Sequence, residues 1–317
     1  MYRPKIILWG TPQMTVDIAE SLLYWADIVA IITTPDTLQG RKKVLTPSPL
    51  KVFGESHSIP VYSPSSLKTP ETEELLRGLS ADIWLVIAYG KIIPQAILDI
   101  MPHRVVNIHP SKLPLYRGPA PIHASLKNGD THTAVTLMEI DTMMDHGPII
   151  AQQTIPILST DTYIELEKKV IEVSATLLRE YLIPFIQGES MAQVQDDTKA
   201  TYVKMITKYD GLIDCNHHTG SDIVNLFRAY CMWPKVYTHL HNGKKVIFDK
   251  ILTHIDNSLS LKPGHWRFDA SHTCLIVGTL AGNILITNLT VEGKPSIEAQ
   301  SFVNGYTDSY FIDKELD

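Results

Sequence analysis

A chain of 317 residues is about twice the usual single-domain length, and its net charge of −6 argues against coating nucleic acid by bulk electrostatics. With 44% hydrophobic and 20% charged residues it falls among ordinary globular proteins, which excludes a disordered or low-complexity chain. Its apolar runs are strand-sized, far short of the roughly 20 residues of a membrane-spanning helix, and residues 1–5 enter the first run without a signal core, so no membrane partner and a cytoplasmic location are expected.

In chain order, Ile6 to Trp9 reads as a buried strand that turns at Gly10-Thr11-Pro12 into a helix through Val16, Ile18, Ala19, Leu22 and Leu23. Ile28 to Thr33 is a second strand, and the proline-rich stretch 35–49 is predicted as a long loop. A short helix at 49–56, a short strand at 61–62, an amphipathic helix at 71–79 and a buried strand at 83–87 follow. Strands at 105–108 and 134–138 flank a helix candidate at 121–127. Thr160 to Ile186 is one long helical pattern with Ser159 or Thr160 as cap and Gly188 as stop. Short apolar strands between helices predict an α/β class with a doubly wound, mostly parallel sheet. Beyond 208 come a helix at 220–230, strands near 236–240, 245–252, 274–277 and 284–289, and a helix near 296–304. Hairpin signals at His241-Asn242-Gly243 and Ala281-Gly282-Asn283 make the second part a small antiparallel β-barrel. The expected organisation is 1–188, a linker at 189–207, and 208–317. Cys215, Cys231 and Cys274 lack disulfide or metal-ligand spacing and read as small core residues, so no metal is expected.

Ligands of such sheets sit outside the carboxyl ends of the strands. The turn after the first strand has one glycine where a dinucleotide fingerprint needs three, which disfavours a nicotinamide site. Asn107 and His109 are two apart on an extended segment, so both side chains face one way. A carboxamide and a protonated imidazole are suitable donors to an oxyanion, and Asp145, beyond a neighbouring strand, could orient the histidine. Asn107 as a loop cap with His109 as an ordinary surface histidine stays open on spacing alone. Arg41, Lys42, Lys43 and Lys51 make residues 41–51 a positive patch without an acidic residue.

The string Asn107-Ile108-His109-Pro110-Ser111-Lys112-Leu113-Pro114-Leu115-Tyr116-Arg117-Gly118-Pro119-Ala120-Pro121-Ile122 resembles the signature of the folate-dependent formyltransferases, and Ala88-Tyr89-Gly90 and Asp141 to Gly147 match further motifs of that family. Trp9-Gly10-Thr11-Pro12, Thr34-Pro35-Asp36, Pro47 to Lys51, Ala200-Thr201-Tyr202, Asp210-Gly211, Ile213-Asp214 and Arg228-Ala229 are similar to the branch that acts on methionyl-tRNA. The resemblance implies a Rossmann-like formyltransferase domain followed by an OB-like barrel serving the tRNA, with 10-formyltetrahydrofolate as co-substrate and methionyl-initiator-tRNA as acceptor. It implies Asn107, His109 and Asp145 as the catalytic set. Ile87, Ala88, Tyr89, Gly90, Ser111, Lys112, Leu113, Pro114 and Asp141 would contact folate, and Arg41, Lys42, Lys43 and Lys204 the tRNA. A monomer is expected. Trp9, Met14, Lys112 and His146 depart from the family's usual residues. An amino-sugar nucleotide as acceptor, or a non-catalytic RNA-binding relative, are the competing readings.

Overall fold

The computed structural model describes residues 2–40, 42–253, 255–256, 259–306 and 310–312, which divide into two compact units. The first comprises Met1–Pro121, His132–Pro156 and Glu167–Lys204, and the second Ile122–Thr131, Ile157–Leu166 and Met205–Asp317.

In the first unit the apolar runs become strands because their β-branched and aromatic residues can be covered on both faces of a sheet. Strand β1 (Lys5–Gly10) leads into α1 (Gln13–Leu22) and β2 (Asp27–Ile32). The stretch expected as a long loop instead holds a two-stranded antiparallel ribbon, β3 (Thr37–Gln39) with β4 (Val44–Thr46). Pro35, Pro47 and Pro49 flank these strands rather than interrupting them, and Gly40 and Lys43 make the turn with φ of +68° and +49°. Helix α2 (Pro49–Ser56) starts at Ser48, whose hydroxyl accepts from the Lys51 amide, and has proline in its first turn. There follow β5 (Val61–Tyr62), α3 (Pro70–Arg77), β6 (Ile83–Ile87), α4 (Gln95–Leu98), β7 (Val105–His109), β8 (His132–Glu139), β9 (Ile149–Pro156) and most of α6 (Tyr163–Ile186), whereas α5 (Pro121–Lys127), from Ile122 on, and the start of α6 belong to the second unit.

The sheet order is β5-β2-β1-β6-β7-β8-β9; the first five strands run parallel, and β8 and β9 close the edge antiparallel. Strand β9 was not expected, because Gln152, Gln153 and Thr154 lie exposed in its middle and break the apolar alternation of an edge strand. Helix α6 begins three residues later than Thr160, where Thr162 and Glu165 share a hydrogen bond of the capping type. Residues 189–204, expected as a linker, bond to the sheet edge: the Ile149 and Gln193 backbones exchange hydrogen bonds of 2.7 and 2.8 Å. One apolar core layer gathers Ile7, Trp9, Trp84, Val86 and Tyr89, with Trp9 at 5.2 Å from Trp84 and edge-on to Tyr89 at 5.3 Å between ring centroids.

The second unit contains α7 (Gly220–Ala229), capped reciprocally by Thr219 and Asp222, then β10 (Tyr237–Leu240), β11 (Lys245–Ile251), β12 (Trp266–Asp269), β13 (Cys274–Gly278), β14 (Asn283–Val291), β15 (Ser296–Glu298), α8 (Ala299–Gly305) and β16 (Phe311–Ile312). The antiparallel path is β12-β13-β14-β11-β10-β16, with β15 beside β14. A bridge from His265 to Tyr310 brings its two outer strands together. Cys215 and Cys274 are buried and Cys231 is half-buried, all as free thiols. Among the described residues no helix is long and apolar enough to cross a membrane.

The end of β1 carries a close approach that the strand-to-helix turn depends on. A Cβ at Gly10 would lie 2.4 Å from Thr15 Cγ2 and 2.6 Å from the Ile87 carbonyl oxygen, which already accepts the Thr15 hydroxyl at 2.8 Å. Gly10→Ala should therefore destabilise the protein by about 1–3 kcal/mol, read as a lower midpoint in denaturant unfolding; an unchanged midpoint would contradict this packing.

Candidate active site

Strands β6 and β7 are parallel neighbours, so their carboxyl ends open on the same edge of the sheet. Asn107 sits in β7 opposite Val86 of β6 and Met138 of β8, and His109 follows it on the same side of the strand. The Asn107 side chain is half-buried and makes no hydrogen bond among the described residues. The His109 ring is buried. Its Nε2 faces the Tyr116 carbonyl at 3.0 Å and its Nδ1 faces Asp145 Oδ1 at 3.6 Å. A carbonyl only accepts, so Nε2 carries a proton; the gap to Asp145 is wider than a hydrogen bond.

Asp145 reaches this place from the loop after β8 through a left-handed backbone, φ +50°. Such a conformation costs a non-glycine residue on the order of 1–3 kcal/mol and persists where its surroundings hold it. The Gly118 amide donates to Asp145 Oδ2 at 2.8 Å. Gly118 itself has φ +124°, and a Cβ there would lie 2.3 Å from the Val203 carbonyl oxygen, so only glycine can present its amide at this spot. The Gln195 side-chain amide donates to the carbonyls of Asp145 at 2.9 Å and Gly147 at 2.8 Å.

Gln195 is held in turn by Arg117, whose Nε and Nη2 approach its Oε1 at 3.2 and 2.8 Å. Arg117 is 1% exposed, and a buried guanidinium needs its charge and donors met; Nη2 also donates to Asp197 at 2.7 Å and Nη1 to the Tyr202 hydroxyl at 3.1 Å. Arg117 and His146 hold the Asp197 carboxyl below its ordinary pKa, Arg117 most strongly. His146 meets Asp141 through Nδ1 at 2.5 Å and Asp197 through Nε2 at 3.2 Å. In the sequence Arg117 stands out only as a member of the family-like string 107–122, and Gln195 and Asp197 do not stand out at all. They lie about eighty positions from Arg117 in a polar, weakly periodic stretch, and only the alternation of donors and acceptors in space marks them.

The other expected site residues fall into two groups. Ile87 ends β6, Ala88 and Gly90 adopt φ of +50° and +80°, and Tyr89 turns its ring into the core, where burial pushes its pKa up to about 12. This segment therefore offers backbone groups rather than the tyrosine side chain. Ser111 is fully buried, with its hydroxyl donated to the Leu115 carbonyl at 2.6 Å; Leu113 is buried, Pro114 half-buried and Lys112 exposed. Asp141 lies half-buried on the wall of a cavity of about 250 Å³ that Leu98, Met101, Val105, Ile140 and Pro148 also line. The wall is mixed: Gln95, Asp99, His103 and Glu139 join Asp141 as its polar members. Lys42, Lys43 and Lys204 are exposed and have no ion-pair partner among the described residues. Lys51, by contrast, is held by both oxygens of Asp36 at 2.9 and 3.0 Å. Arg41 lies outside the described residues. No cluster of His, Cys, Asp and Glu among them could hold a metal ion.

Taken together, an open carboxamide, a buried imidazole and a carboxylate at one strand end suit stabilisation of an oxyanion coupled to proton transfer. Comparison with known proteins agrees with this chemistry. Residues 6–182 match the model of the formyl transferase family, and residues 205–307 that of its C-terminal domain. A methionyl-tRNA formyltransferase of Listeria welshimeri is 35% identical over 302 residues, covering 95% of both chains. One of Dehalococcoides mccartyi is 37% identical over 304 residues, covering 95% of this chain and 94% of that one. Among solved structures, WlaRD, described as a sugar 3N-formyl transferase in the presence of dTDP and 5-N-formyl-THF, superposes with a TM-score of 0.65 at 19% identity, covering 93% of this chain and all of its own. A matching catalytic-domain model over more than half of the chain, with relatives above 30% identity along nearly its whole length, establishes that this chain belongs to the formyl transferase family.

Proposed function

We propose that the protein transfers the formyl group of 10-formyltetrahydrofolate to the α-amino group of methionine esterified to initiator tRNA, with Asn107, His109 and Asp145 carrying the chemistry. The observation that carries the chemical reading is the Asn107 carboxamide, without a hydrogen-bond partner among the described residues, beside a histidine that Asp145 and Tyr116 flank. As the neutral amine attacks the formyl carbon, a C–N bond forms and negative charge grows on the formyl oxygen. The carboxamide N–H of Asn107 donates to it. His109 supplies positive charge beside the oxyanion once Nδ1 is protonated opposite Asp145, and gives it a second donor by turning Nε2 from the Tyr116 carbonyl. The long approach to Asp145 shortens in the reacting complex. Asp145 then carries the amine proton toward the folate nitrogen, which accepts it as the old C–N bond breaks, leaving tetrahydrofolate and formylmethionyl-tRNA. The cavity beside Asp141, with the backbone of 87–90 and the loop at 111–114, is the proposed folate site; its mix of apolar residues with polar groups suits a flat ring rich in donors and acceptors.

The choice of acceptor rests on the relatives. Likeness of fold to a sugar formyltransferase spans 93% of this chain, so possession of a second unit does not by itself select tRNA. Identity of 35–37% along 95% of the chain is to methionyl-tRNA formyltransferases, and it supports tRNA over a sugar nucleotide. Lys42 and Lys43 of the ribbon turn, exposed and without an ion-pair partner among the described residues, fit a polyanion on a chain that is acidic overall. Incubating the protein with 10-formyltetrahydrofolate and either methionyl-tRNA or an amino-sugar nucleotide tests the reading: formylation of the tRNA alone is expected, and formylation of the sugar alone would overturn it.

Loss of a single oxyanion donor costs on the order of 10²–10³ in turnover. Asn107→Ala and His109→Ala should each show a loss of that size with folate affinity little changed, and near-normal turnover in either folded variant would remove that residue from the set. The ribbon turn makes a separate prediction. Lys42→Glu combined with Lys43→Glu should raise KM for methionyl-tRNA and flatten its salt dependence, each lost phosphate contact removing up to about one unit of slope. KM for the folate should stay constant. Unchanged tRNA kinetics at low salt would assign these lysines to solvated surface.

A further inference from the structure

The structure gives His146 two partners. Its Nδ1 lies 2.5 Å from Asp141 Oδ2 and its Nε2 3.2 Å from Asp197 Oδ2. Carboxylates only accept, so satisfying both contacts requires a proton on each nitrogen; a neutral ring would turn a lone pair toward one of the two oxygens. The ring is therefore an imidazolium strap between the loop 141–147 and the segment 195–199. Asp197 is fixed from its other oxygen by the buried Arg117. The same segment grips the loop's backbone, since Gln195 donates to the carbonyls of Asp145 and Gly147 on either side of His146. Asp145 needs such a grip, because it holds a left-handed backbone while aiming its carboxylate at His109.

We propose that His146 is a positioning residue, bridging Asp141 and Asp197 so that the loop 141–147 keeps Asp145 aimed at His109. This rests on the reading of Asp145 and His109 as the acting pair. The charged groups facing His146 are Asp141 from its own loop and Asp197 from the facing segment, with Arg117 behind Asp197. Hydrogen bonding to Asp141 first, and to Asp197 after it, raises the His146 pKa above its ordinary value. A raised value means that the strap is intact below that value and is lost as pH rises through it.

The test compares wild type with His146→Gln and His146→Thr, both at a partly exposed position, with folding checked by thermal unfolding. Turnover of methionyl-tRNA should fall on the order of tenfold to a hundredfold near neutral pH, the scale of a misplaced reacting group, with KM for the tRNA little changed. The ratio of wild-type to variant turnover should then shrink toward one as pH rises, because titrations common to both proteins cancel in the ratio. Equal turnover at neutral pH, or a large loss that stays constant with pH, overturns the proposal while a dead His109→Ala leaves the catalytic reading standing. Near-normal turnover in His109→Ala overturns both.

Discussion

One hydrogen bond organises the site: the amide of Gly118 donating to the carboxylate of Asp145. Neither end of it is at ease locally. Gly118 occupies a backbone region closed to other residues, pressed against the Val203 carbonyl, and Asp145 is left-handed without being glycine. Conformations of this kind survive only when several contacts fix them together. Here the contacts come from Gln195 on the loop backbone, Arg117 on Gln195, and the sheet below, whose order sets β7 between β6 and β8. The strand order delivers Asn107 and His109; the buried arginine and its amide partner deliver Asp145.

Charge balance explains why this arrangement is stable enough to act. Three carboxylates, Asp141, Asp145 and Asp197, gather around one guanidinium and two imidazoles. Asp141, Asp197 and His146 are partly open to water, so the cost of leaving a charge uncompensated falls chiefly on the buried member, Arg117. Arg117 is the member least able to lose its partners, because it is closed off from water and cannot give up its proton.

The sequence displays the parts whose physics is local. Continuous apolar runs announce the buried parallel strands, whereas the spacing of Asn107 and His109 leaves their role open and only the family-like string around them marks the candidate site. Edge features were harder to read: β9 carries exposed glutamines in its middle, and the β3–β4 ribbon hides between prolines that suggested a loop. Gln195 and Asp197 could not be recognised from their own neighbourhood. Their roles come from pairing with Arg117 across a long stretch of chain, and a polar segment looks the same whether it is a linker or a clamp. Lys51 illustrates the converse, since a lysine within a basic run proved to be neutralised by Asp36.

In the proposed reaction Asp145 acts through its charge rather than its shape. Asp145→Asn keeps an oxygen to accept the Gly118 amide and leaves the loop its contacts, but removes the negative charge opposite His109. Single-turnover formyl transfer from bound 10-formyltetrahydrofolate to methionyl-tRNA measures the step that charge serves. The expected result is folate binding close to wild type with the chemical step slowed on the order of a hundredfold or more; a single-turnover rate equal to wild type would contradict the assignment of Asp145 to the reaction.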